Sequence, residues 1–87
     1  MQYRIELSRA AKKFLEGLRD AKLSRRFSKV IQSLAENPRP PDSLKLQGNE
    51  ELYRVRVGDY RIIYQIRDAV LTVLVVDVGH RGDIYRR

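Results

Sequence analysis

Arg54, Arg56 and Arg61 are the residues of this chain best suited to chemistry on an anion, and their spacing brings them together. From Leu52 to Ile66 apolar and polar residues alternate with period two, and Gly58-Asp59 interrupts them with the composition of a two-residue II′ loop. Closing that loop sets the register. Arg56 then faces Arg61, and Arg54 lies two residues along on the same side. Like charges directly opposite in an antiparallel pair are unfavourable. A sequence that keeps them aims cations at something negative, and arginine makes forked, permanently charged contacts to phosphate oxygens. The plain alternative is a sheet face kept soluble by charge. Against it, the simplest register collects Arg54, Arg56, Arg61 and Arg67 on one side with no acid to pair them. Tyr53, Val55, Val57, Tyr60, Ile62, Tyr64 and Ile66 point the other way, and the core takes that set.

A second group lies from Gly79 to Tyr85, where two glycines bracket His80 and Arg81. Histidine is the usual proton-transfer side chain near neutral pH, and Tyr85 could stack on a base. The bland reading is a basic tail with an exposed histidine. A third group, Lys22, Arg25, Arg26 and Lys29, forms the outer face of a helical segment. It reads either as a solvated face or as extra contact to the backbone of a large RNA.

Other chemistries find no support. There is no cysteine and a single histidine, so no thiol nucleophile and no all-protein zinc site is expected. No carboxylate pair suggests glycosidase or two-metal work, no glycine-rich loop cradles a nucleotide, and no serine sits in an elbow motif. No metal and no cofactor is expected. Arginine, histidine and tyrosine suit RNA cleavage, where the substrate's 2′-hydroxyl is its own nucleophile and the protein supplies orientation and charge.

These residues need a scaffold. Gln2 to Leu7 alternates with Tyr3, Ile5 and Leu7 on one face, predicting a first strand. Ser8 is a good N-cap for a helix carrying Ala11, Phe14, Leu15 and Leu18, expected to end near Asp20. A second helix from about Lys22 to Glu36 carries a stripe of Leu23, Phe27, Val30, Ile31 and Leu34. Prolines 38, 40 and 41 end it and hold the connector extended. A short strand, Leu44 to Gln47, precedes the hairpin. Arg67 to Val70 turns into a last strand, Val70 to Val78. The order β-α-α-β-β-β-β predicts an α+β fold: an N-terminal strand, then two helices on one face of a small, mainly antiparallel twisted sheet. The other face, with the arginines, is left open.

Eighty-seven residues suffice for one domain spanning 1–87, and a formal charge of +7 favours polyanionic partners. Charges occupy the start of the chain where a signal peptide has its apolar core, and the apolar run at 69–76 is too short to span a bilayer. The expected location is cytoplasmic, without membrane contact.

Leu46 to Arg56 reads Leu-x-Gly-x-x-x-Leu-Tyr-Arg-Val-Arg, residues 58–66 read Gly-Asp-Tyr-Arg-Ile-Ile-Tyr-Gln-Ile, and residues 78–85 read Val-Gly-His-Arg-x-x-Ile-Tyr. Together they resemble the RelE/ParE superfamily, the toxins of type II toxin–antitoxin modules, along essentially the whole chain. RelE-type members are ribosome-dependent endoribonucleases that cut mRNA in the A site; ParE-type members poison DNA gyrase. The resemblance to RelE implies a metal-independent mRNA interferase with 2′,3′-cyclic phosphate and 5′-hydroxyl products. It also implies that Arg61 and Arg81 hold and neutralise the scissile phosphate, and that Tyr85 stacks on a base. Arg54 and Arg56 stand where lysines are familiar, the second being the proposed general base. Arginine is a poor base, so either Arg56 only stabilises charge or His80 takes part in proton transfer. Implied partners are a cognate RelB-type antitoxin, the ribosome with its rRNA, mRNA, and operator DNA only indirectly through the antitoxin. A ParE-like gyrase poison and a non-catalytic basic RNA-binding module are the rivals.

Overall fold

A two-residue loop and two well-capped helices set the frame of this computed structural model, which describes residues 2–46, 48 and 51–80. The elements are β1 (Arg4–Leu7), α1 (Arg9–Glu16), α2 (Ala21–Glu36), β2 (Leu44–Lys45), β3 (Leu52–Val57), β4 (Tyr60–Arg67) and β5 (Thr72–His80). They form a five-stranded sheet in the order β1-β5-β4-β3-β2. Among the described residues only β1 pairs in parallel, with β5; the other three pairings are antiparallel. This is the expected α+β arrangement. Ala11, Phe27, Ile31 and Leu34 of the helices close on Val55, Val57, Ile62, Tyr64, Ile66, Val73, Val75 and Val78 of one sheet face.

Ser8 caps α1, its Oγ accepting from the Ala11 N–H at 3.1 Å. That helix stops at Glu16, four residues short of Asp20, with Gly17 as its C-cap. Asp20 belongs to the next helix instead. Its Oδ1 accepts from the N–H groups of Lys22 and Leu23, so its side chain starts α2 and cannot also extend α1. Tyr3, just before β1, and Ile5 within it pack against the core, but Leu7, at the end of this edge strand, is 40% exposed. The last strand begins at Thr72 because Asp68–Val70 form a 3₁₀ turn closed by Leu71 at φ 47°. It also runs on through Gly79 and His80, two residues beyond the expected end.

The proline connector is clamped to the sheet. Fully buried Tyr64 donates to the Pro38 carbonyl at 2.8 Å, and burial pushes its hydroxyl up to about 12. Arg39 grips Asp68 with two hydrogen bonds, at 2.8 and 3.2 Å, and its Nε donates to Tyr53. Tyr3 donates to the same carboxylate at 2.6 Å. Arg39 first, then Tyr3, holds the Asp68 carboxyl down at about 2.

Candidate nucleic-acid interface

The hairpin has the expected register: Val57 pairs with Tyr60, Arg56 with Arg61 and Arg54 with Ile63. Gly58 has φ +61° and Asp59 is not among the positive-φ residues, which is the II′ pattern. Val55, Val57, Ile62, Tyr64 and Ile66 are buried in the core, so Arg54, Arg56 and Arg61 share the opposite face. Their exposure differs. Arg56 is exposed and Arg54 half-buried, but Arg61 is 8% exposed, so it is not presented openly to solvent.

The arginine face also holds an acid, contrary to the expectation from alternation. Tyr64 pairs with Val75 while Ile63 pairs with Asp77, so Val76 is an extra residue, a β-bulge. The bulge moves the core positions of β5 from Val73 and Val75 to Val78, and Asp77 turns to the arginine side. Ser8 fastens this irregularity. Its Oγ donates to the Val76 carbonyl at 2.6 Å, and its N–H donates to the Val75 carbonyl at 2.9 Å. One side chain thus starts α1 and holds the bulge. Asp77 is 8% exposed and its Oδ1 accepts from the Val78 N–H at 3.0 Å.

His80 is not brought to the arginines. It pairs with Tyr60 and, two residues from core-facing Val78, has the helix-side parity. Its ring meets the Tyr60 ring edge-on at 5.4 Å. Tyr60 in turn packs edge-on against Phe14 at 5.8 Å and Phe27 at 5.6 Å. The physical reason is strand alternation: Gly79 faces Arg61, so its neighbour His80 faces away. The expected share of His80 in proton transfer is therefore not supported by its placement, which turns it from Arg56 and Arg61. Arg81 and Tyr85 lie outside the described residues.

Arg25, Arg26 and Lys29 are exposed on α2, where with Lys22, Ser28 and Gln32 they line an open groove of about 410 Å³. Arg26 also reaches the hairpin tip: a Cβ at Gly58 would sit 3.2 Å from its Nη1. Of the helix cations, Arg26 is thus the one that neighbours the hairpin tip. Among the described residues no group of three or more His, Cys, Asp or Glu could hold a metal ion. No helix among them is long and apolar enough to cross a membrane.

Comparison with known proteins agrees with this geometry. Residues 5–85 match the family described as the ParE toxin of the type II toxin–antitoxin system parDE. A RelE-like toxin protein of Escherichia coli is 33% identical, over 98% of this chain and 92% of that protein. RelE in the archaeal RelE–RelB complex from Pyrococcus horikoshii OT3 superposes with a TM-score of 0.82 at 32% identity, covering 95% of this chain and 99% of that one. The intact E. coli RelBE toxin–antitoxin complex matches with a TM-score of 0.78 at 26% identity, covering 90% and 95%. A basic sheet face on this scaffold, with a family match along nearly the whole length, makes the chain a RelE-like toxin of the RelE/ParE superfamily of type II toxin–antitoxin systems.

Proposed function

We propose that this toxin is a ribosome-dependent, metal-independent endoribonuclease that cuts mRNA in the A site and so inhibits translation. The observation that carries the reading is the facing pair Arg56 and Arg61, with Arg54 beside it on the same sheet face. Guanidinium groups at facing and neighbouring positions of one sheet face suit a phosphorane, whose negative charge grows as the 2′-oxygen attacks. Arg61 holds the scissile phosphate and Arg56 neutralises charge from the opposite strand, while Arg54 grips a neighbouring phosphate. Arg81 and Tyr85 complete the site by the family resemblance, as second phosphate ligand and base-stacking ring. Arg25, Arg26 and Lys29 add contacts to ribosomal RNA, for which the exposed groove on α2 is suited. Resemblance to the toxins solved with RelB makes a RelB-type antitoxin the expected inhibitor, and the +7 charge favours an acidic binding segment.

A second reading, a ParE-like gyrase poison, is favoured by the name of the matching family. Primer extension on an mRNA in translating ribosomes separates the two. The nuclease gives new 5′ ends on ribosomes and none on naked RNA. Intact mRNA together with inhibited gyrase supercoiling would establish the ParE-like reading instead.

A further inference from the structure

Cleavage by a 2′-hydroxyl needs a group to take its proton, and the hairpin arginines serve poorly, since a guanidinium gives up its proton only above pH ~12. His80 meets Tyr60 on the helix side. Asp77 is different. It faces the arginine side, paired with Ile63, and the residue two along, Gly79, pairs with Arg61. Asp77 and Arg61 are therefore diagonal neighbours on one face, at a separation of about 7–8 Å that long side chains cover. Gly79 has no side chain to stand in front of Arg61. The hydrogen bond from the Val78 N–H fixes the direction of the carboxylate. Glu6 has the same parity, but it lies on edge strand β1 opposite Leu74, beside Arg4 at 3.7 Å, and away from the hairpin tip. Burying a carboxylate is costly, and the bulge that turns Asp77 to this face is held by a dedicated side chain, Ser8.

We infer that Asp77 is the general base of this toxin; the inference rests on the ribonuclease reading above. The Asp77 carboxylate takes the 2′-hydroxyl proton as the 2′-oxygen forms its bond to phosphorus. The bond from phosphorus to the 5′-oxygen then breaks, its electron pair staying on the 5′-oxygen, which takes a proton from water. The products are a 2′,3′-cyclic phosphate and a 5′-hydroxyl, and Asp77 returns its proton to solvent. Arg56 and Arg61 carry the charge of the phosphorane, so base and electrophilic support come from adjacent strands.

Asp77→Asn keeps the shape and an acceptor for the Val78 N–H while removing basicity. Single-turnover cleavage on programmed ribosomes should fall by about 10²–10⁴-fold, the usual contribution of a general base. Ribosome affinity should hold or tighten, because a negative charge leaves the face. Added formate should restore part of the rate to Asp77→Ala and none to Arg61→Gln, a response that a purely structural carboxylate would not give. Asp77→Glu, which retains a carboxylate, should cut faster than the amide variant and serves if that variant does not fold. A wild-type rate in Asp77→Asn, or equal loss in the amide and Glu variants without formate rescue, overturns the inference alone. A wild-type protein that makes no cut on ribosomes overturns the ribonuclease reading and this inference with it.

Discussion

Replacing Arg56 with glutamine should make this protein more stable and a poorer ligand for RNA. Arg56 and Arg61 form the rung next to the loop-closing pair Val57 and Tyr60. In a two-residue hairpin that rung is the non-hydrogen-bonded kind, where side chains stand closest. Two unit charges about 6 Å apart repel by about 0.7 kcal/mol at the dielectric of water, and screening by physiological salt roughly halves this. Arg56 is exposed but Arg61 is buried, so the water value is a lower bound. The gain is then at least about 0.3–0.7 kcal/mol, or about 1–5 °C in Tm for a domain of this size. Circular-dichroism melts at low and high salt check the cause as well as the sign. Wild type should gain more from added salt than the variant, because screening relieves a repulsion that the variant lacks. RNA binding should weaken, with a salt slope shallower by about one. A variant that melts lower, or that responds to salt as wild type does, would refute the idea that the hairpin tolerates a repulsion for the sake of an anion.

Three further changes probe the scaffold. Tyr64→Phe leaves the Pro38 carbonyl without its buried donor and should cost about 1–3 kcal/mol, read as a lowered urea midpoint. Gly58→Ala forces a side chain to φ +61° with its Cβ 3.2 Å from Arg26. It should cost about 1–2 kcal/mol or more by the same measurement. Asp68 is held down from 3.8 to about 2 in the folded state, so its contribution is complete above pH 3.8 and lost as pH falls toward 2. Melting temperature against pH should therefore fall less steeply over that interval in Asp68→Asn, and identical profiles would count against the Arg39–Asp68 clamp.

The hairpin was legible in the sequence because one short signal, Gly58-Asp59 between alternating strands, fixes loop length, and loop length fixes register. The stripe of α2 was legible for a similar reason: Phe27, Ile31 and Leu34 recur at a period that only a helix satisfies, and all three are buried. Asp20 shows where such reading fails. It suits either the end of one helix or the cap of the next, and only the hydrogen bonds to Lys22 and Leu23 decide. Asp77 shows a deeper limit. Strict alternation from Val73 and Val75 would turn it into the core, and the bulge at Val76 that reverses it carries no local signature. The bulge is fixed by Ser8, sixty-eight residues away along the chain, which alternation along β5 cannot reveal. Strand parity likewise turns His80 away from the arginines. Its expected role came from chemistry and nearness in sequence, and the pairing with Tyr60 turns it to the other face.

The central claim is that the arginine face of the sheet acts on an RNA phosphate. The direct test is the single-turnover cleavage rate of Arg61→Gln on saturating programmed ribosomes, with folding checked by circular dichroism. Removing a donor to the transition-state oxyanion should slow cleavage by about 10²–10³-fold with ribosome binding largely kept. A folded Arg61→Gln protein that cuts at the wild-type rate would contradict the account.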